Sequence, residues 1–121
     1  MSAPAPTVSI LDFATYTWSA PRVLDLPITL EGCSVSLDET RRQAVVFGKD
    51  TRVDAAPTNA VYLVDLHSFQ VREITPIEPP SGPVWRQEHG AYFDQHSRAL
   101  YVYGGFRDDT PLGDAWRFSL L

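Results

Sequence analysis

Cys33, His67, His89, His96 and the adjacent pair Asp108-Asp109 are the residues of this 121-residue sequence best suited to chemistry. A thiol, an imidazole and a carboxylate can serve as nucleophile, base and orienting group, but nothing in the spacing here selects one such set. Cys33 falls in a run with strand character, where a buried thiol is inert. Glu88 precedes His89 directly and so points to the opposite face of a strand, which makes His89 a hydrogen-bonded strand residue rather than a general base. His67 and His96 fall in tight-turn sequences, and no second histidine stands at ligand spacing, so no metal ligand is assigned. Asp108-Asp109 offers oxygens of the kind a hard cation takes, yet adjacent loop carboxylates are common without an ion. No catalytic residue, metal or cofactor is therefore expected, and the chain reads as non-enzymatic.

The elements that would carry these residues are runs of about five to seven residues rich in Val, Tyr, Phe, Leu and Ile, divided by Gly, Pro, Asp and Thr clusters. Strands are expected at Ser9 to Asp12, Tyr16 to Ser19, Cys33 to Leu37, Ala44 to Gly48, Ala60 to Leu66, Phe69 to Ile74, Gly90 to Phe93, Leu100 to Gly104 and Asp114 to Leu120. Helical periodicity is nearly absent. The 44% hydrophobic fraction suffices for the core of one small domain. Ten basic against fifteen acidic residues, a formal charge of −5 and no basic cluster argue against nucleic acid as a partner. One cysteine excludes an internal disulfide and fits a reducing compartment. No apolar run is long enough to span a membrane, and Met1-Ser2-Ala3-Pro4-Ala5-Pro6 lacks the basic and apolar regions of a signal peptide. The expectation is a soluble, cytoplasmic chain, disordered over residues 1–7.

The strands recur in order. Leu37-Asp38, Arg42 and Val46-Phe47-Gly48 match Phe93-Asp94, Arg98 and Val102-Tyr103-Gly104 at an offset of 56 residues (94 − 38). Val61 to Leu66 matches Ala115 to Leu120 at an offset of 54 (116 − 62), and Val8 to Phe13 is an incomplete third copy at 53 (65 − 12). A period of roughly 50 residues is that of kelch blades. The segments Arg86-Gln87-Glu88-His89, Leu100-Tyr101-Val102-Tyr103-Gly104-Gly105 and Gly113-Asp114-Ala115-Trp116-Arg117-Phe118 resemble the kelch-repeat pattern. The first copy departs from it, with Leu30 and Cys33 in place of Arg86 and His89, and Gly48-Lys49 in place of the double glycine.

The resemblance implies an all-β fold of kelch-like β-propeller blades, each of four antiparallel strands, forming an incomplete propeller in one chain. Residues 8–32 would be a partial blade, 33–74 a complete one, and 89–121 a blade lacking its fourth strand. Tyr62 and Trp116 would pack between blades as third-strand aromatics, with Trp18 filling the same layer from a fourth strand. Gly104 and Gly105 would give the second strand clearance to leave the crowded centre.

Antiparallel order places the long connections, Ala20 to Gly32, Lys49 to Asn59, Thr75 to Glu88 and Gly105 to Gly113, at one end of the blades. The third includes the stiff run Pro76-Ile77-Glu78-Pro79-Pro80-Ser81-Gly82-Pro83. Long loops gathered at one end suggest a recognition surface. Its candidate contacts are Arg52, Asp54, Trp85, Arg86, Phe106, Arg107, Asp108 and Asp109, aromatic and arginine anchors typical of protein interfaces. For Arg86 a structural role, bonding neighbouring carbonyls, is preferred to ligand contact. The reading is a non-catalytic protein-binding module. The alternatives are a ligand-binding or catalytic kelch-type propeller acting on a sugar or other small molecule, and a structural fragment of a longer propeller. Propellers have about four to eight blades, so interblade faces would be left over, to be covered in a longer propeller or in a head-to-tail homo-oligomer.

Overall fold

In the run Gln43-Ala44-Val45-Val46-Phe47, every position after Gln43 is apolar, so an extended chain here offers both faces for burial, as in a strand sandwiched between two layers. The computed structural model has this arrangement. It describes residues 5–49, 60–74 and 85–120, and all regular elements among them are β-strands in small antiparallel sheets.

β1 (Thr7–Val8), β2 (Leu11–Asp12), β3 (Thr17–Trp18) and β4 (Arg22–Val23) form one long bent ribbon, in which β1 pairs with β4 and β2 with β3. A four-stranded sheet follows in sequential order: β5 (Ser34–Asp38), β6 (Gln43–Phe47), β7 (Val61–Asp65) and β8 (Val71–Ile74). In a third sheet β10 (Ala99–Tyr103) lies between β9 (Gly90–Asp94) and β13 (Ala115–Ser119), while β11 (Phe106–Arg107) and β12 (Thr110–Pro111) make a small hairpin between β10 and β13.

The registers carry the sequence repeat. Val46 pairs with Val35 and Tyr62, and Val102 pairs with Ala91 and Trp116. Phe47 opposite Ser34 likewise corresponds to Tyr103 opposite Gly90. The same turn closes four hairpins. Asp12, Asp38, Asp65 and Asp94 accept hydrogen bonds from nearby backbone N–H groups, and four residues after each stands a residue at positive φ: Tyr16, Arg42, Phe69 and Arg98, at 56°, 51°, 60° and 56°. Each left-handed residue costs about 1 kcal/mol; the carboxylate bonds help offset it.

Two apolar layers hold the sheets together. One face of β5–β8, with Ala44, Val46, Tyr62 and Val64, is covered by Leu26 and Ile28 from the segment after β4. The other face, with Val45, Phe47, Val61 and Leu63, packs on Phe93, Leu100 and Val102 of the third sheet. Each fully buried large side chain in these layers contributes roughly 1.5–3 kcal/mol. β5 and β9 run side by side where the sheets meet. There the Arg98 guanidinium donates to both carboxylate oxygens of the fully buried Asp38, at 2.8 and 2.6 Å. Gln95 adds a second link, donating to the Leu37 carbonyl at 2.6 Å and accepting from the Glu39 N–H at 2.9 Å.

Stacked antiparallel sheets without a closed barrel are consistent with an incomplete propeller. Tyr62 is interior, at 1% exposure. Trp18 is not: it is 66% exposed, on a ribbon with no sheet packed on its ring among the described residues. Trp116 lies between these extremes at 36%, near the margin of the third sheet. No helix among the described residues is long and apolar enough to cross a membrane.

Candidate recognition face

Gly105 is where the face begins. Its φ is +89°, and a Cβ there would stand 2.7 Å from the Gln87 carbonyl oxygen and 2.9 Å from the Cα and Cβ of His89. Without a side chain, β11 closes on the connection that precedes β9, and Gln87 and Phe106 exchange two backbone hydrogen bonds of 2.8 Å. Gly32, at φ +70°, permits the next approach, in which the Glu88 N–H donates to its carbonyl at 2.8 Å. Gly104 also has positive φ, +64°, but open space around its missing Cβ, with the nearest atom at 3.7 Å. Clearance is therefore the work of Gly105, while Gly104 supplies backbone conformation.

Three chain segments thus meet at one end of the sheets. Between them lies a depression of about 320 Å³ lined by Glu31, Gly32, Gln87, Glu88, Phe106, Asp108 and Asp109. Its four acidic residues are all exposed, and the Phe106 ring is 42% exposed beside them. Asp108 is the first residue of the β11–β12 turn and takes a positive φ of 52°, which Asp tolerates better than most side chains. Close by, the half-buried Trp85 ring carries two cations, Arg107 at 5.3 Å and Lys49 at 5.1 Å from its centroid.

Beneath the face sits Arg86, with no exposed surface. It donates to both carboxylate oxygens of Asp114, at 2.6 and 3.1 Å, and to the Gly104 carbonyl at 3.1 Å. It therefore ties the connection before β9 to both ends of the loop between β10 and β13. The Arg86 hydrogen bonds hold the Asp114 carboxyl well below the usual carboxylate range, helped by the Trp116 indole N–H. Arg86, expected among the partner contacts, instead has no exposed surface: its guanidinium is taken up by Asp114 and the Gly104 carbonyl, so it shapes the face from below.

The remaining expected contacts separate. Trp85, Phe106, Arg107, Asp108 and Asp109 lie at this end, whereas Arg52 and Asp54 lie outside the described residues, as does Pro76 to Pro83. Arg86, Arg107 and Asp108 do not converge on one deep pocket: the first is buried against Asp114, the second lies over Trp85, and the third lines the open depression. Glu31, Glu88 and Lys49 were not singled out in the sequence. They stand at the ends of the long connections, and that position was the signal available.

His89 contacts Ser34 through Nε2 at 2.7 Å and packs edgewise on Phe47. Burial, reinforced by the nearby Arg86 charge, pushes its pKa down, so the ring is neutral. A serine nucleophile would need a third group orienting the ring, but Nδ1 of His89 is buried without a hydrogen-bond partner among the described residues. Burial pushes the Cys33 thiol pKa up, against the effect of a backbone hydrogen bond, so it is a poor nucleophile. No group of three or more His, Cys, Asp or Glu residues is placed to hold a metal ion among the described residues.

Fold and face together define a class: an all-β protein of stacked antiparallel sheets, with an acidic, aromatic loop end built over a buried arginine paired with a partly exposed aspartate. Comparison with known proteins adds no closer identity, since no protein-family model matches the chain, and no curated protein does.

Proposed function

We propose that this chain is a non-catalytic protein-binding module, a segment of a kelch-like β-propeller acting in the cytoplasm, whose loop end receives a partner segment with basic side chains next to an apolar one. The carrying observation is the open depression in which Glu31, Glu88, Asp108 and Asp109 surround an exposed Phe106. Four like-charged carboxylates around an accessible ring favour a cationic and amphipathic visitor. The width of the mouth suits a peptide or protein surface better than a small substrate, which is ordinarily enclosed by apolar walls. The kelch reading rests on the double glycine, the Arg86–His89 segment and the recurrent strand register, and the single cysteine agrees with a reducing compartment.

The test is selection of displayed peptides on the intact chain, followed by titration of the winners against wild type, Phe106→Ala, and a double charge reversal, Asp108→Lys with Asp109→Lys. Selected peptides should be rich in Arg and Lys, should bind more weakly as salt rises, and should lose at least about tenfold in affinity to the charge-reversed protein. Undiminished binding to both variants would remove this face as the site.

A further inference from the structure

The two larger sheets dock on each other through residues some of whose repeat equivalents remain exposed on the outer faces: Tyr101 and Tyr103 downstream and Leu37 upstream, where Ala44 and Val46 are already covered by Leu26 and Ile28. Inside the chain, Arg98 from the β9–β10 turn reaches upstream to the carboxylate of Asp38. Arg42 occupies the same place in the β5–β6 turn, at φ 51° against 56° for Arg98, and its side chain is exposed. Asp94 occupies the place of Asp38. Its oxygens are held by its own turn, from the His96 N–H at 3.1 Å and the Ser97 hydroxyl at 2.6 Å, as Asp38 is held by the Arg41 N–H. Neither Arg42 nor Asp94 is in an ion pair among the described residues. The chain thus carries one closed Asp–Arg link between its sheets, an open Arg on the upstream side, and an open Asp on the downstream side.

The apolar surfaces follow the same rule. On the downstream face of the third sheet, Tyr101 and Tyr103 stand where Val45 and Phe47 stand in the sheet before, and Tyr92 pairs with Tyr101 on that face. Val45 and Phe47 are 0% exposed because the third sheet covers them, whereas Tyr101 and Tyr103 are 38% and 54% exposed. Upstream, Leu37 is the equivalent of Phe93 and is 48% exposed. On the same side Val35 and Leu66 are 63% and 39% exposed, at the margin of the area that Leu26 and Ile28 cover.

We infer that the chain associates head to tail with a second copy of itself. The tyrosine face of one copy packs on the upstream side of the next, with Asp94 of the first accepting a hydrogen-bonded ion pair from Arg42 of the second. The charge complementarity names the occupant, since Asp94 and Arg42 repeat between copies the Asp38–Arg98 pair made within the chain, beside the exposed Tyr101 and Tyr103 on one side and Val35 and Leu37 on the other. Such a contact is heterologous and propagates until a ring closes or a filament grows.

Sedimentation equilibrium on the full chain across about 1–200 µM tests this. Wild type should pass from 13.5 kDa to integer multiples of it. Arg42→Glu and Asp94→Asn should each weaken association at least tenfold while leaving the far-UV circular dichroism unchanged; asparagine keeps the oxygen that accepts from the His96 N–H. Independently, in a Cys33→Ser background, oxidising a mixture of Arg42→Cys and Asp94→Cys proteins should give a disulfide heterodimer that neither protein gives alone. A wild type that stays at monomer mass throughout overturns the inference. So do assemblies that survive in both charge variants, or a mixture that forms no preferential 42–94 cross-link.

Discussion

Replacing each of two neighbouring glycines by alanine separates two physical costs that this fold places one residue apart. Gly104→Ala puts a Cβ at φ +64° with no atom closer than 3.7 Å, so its cost is conformational, about 1 kcal/mol. Gly105→Ala incurs a similar or larger backbone cost at φ +89° and also drives its Cβ to 2.7–2.9 Å from the Gln87 carbonyl oxygen and the His89 Cα and Cβ. Those neighbours are largely backbone and cannot rotate aside, so the connection before β9 must shift, at a further cost of roughly 1–3 kcal/mol. The expected total for Gly105→Ala is about 3 kcal/mol, a large part of the roughly 5–15 kcal/mol that stabilises a domain. Urea unfolding followed by circular dichroism and by tryptophan fluorescence measures both variants. Because the shift parts Gln87 from Phe106, Gly105→Ala should also weaken peptide binding at the acidic face in folded protein. Equal destabilisation by the two substitutions would refute the close-approach argument and leave only the dihedral one.

Two further outcomes follow from burial and titration. Trp18→Ser should change stability by no more than about 0.5 kcal/mol, since the ring is 66% exposed, whereas Tyr62→Ala should cost about 3 kcal/mol or more, since that ring is 1% exposed between two layers; urea midpoints compare them, and a costly Trp18→Ser would show that β3 is covered after all. His89 has a lowered pKa from burial and the Arg86 charge, so between its folded pKa and the ordinary value of about 6.5 the unfolded chain binds more protons. Stability should therefore fall as pH drops below about 6.5, and His89→Gln should flatten that part of the curve. A second decline should begin below about 4, as Asp114, lowered chiefly by Arg86, loses its stabilising charge; a His89→Gln protein with the wild-type slope near pH 6 would refute the assignment.

The blade pattern was legible because strand repeats are written in residue types that sheet burial demands. Val45-Val46-Phe47 could be read as buried on both faces, and the spacing that relates Asp38 to Asp94 reappears in the strand registers. What could not be read was which surfaces are covered. Trp18 is a large aromatic of the type found in cores, but its burial depends on a neighbouring layer, and none lies over it among the described residues. Both Arg86 and Arg107 stand among the expected contacts, yet the first is bonded to Asp114 and the Gly104 carbonyl beneath the face and the second lies over Trp85. That partnership depends on a carboxylate 28 positions away, and no local pattern encodes so distant a contact. The β11–β12 hairpin was hidden for a similar reason, since its pairing is two residues deep and is braced from outside by Gln87.

The location of the acidic face follows from how stacked sheets use their surfaces. Each sheet has two broad faces, and a chain of repeating sheets uses both for contact with its neighbours, as Val46 and Phe47 on opposite sides of β6 already illustrate. The hairpin ends at Asp12, Asp38, Asp65 and Asp94 are tight turns whose backbone groups are satisfied locally or across the sheet junction. Among the described residues, the opposite end presents exposed side chains, Glu31, Glu88, Phe106, Asp108 and Asp109, outside the two apolar layers between the sheets. Carboxylates there incur little desolvation cost while exposed, and the ion pair between the buried Arg86 and the partly exposed Asp114 keeps their loops in place from below. Assembly through the sheet faces and recognition through the loop end therefore draw on different residues, so charge reversal at Asp108 and Asp109 should leave the mass of the assembly as it is, and substitution of Arg42 should leave the acidic mouth intact.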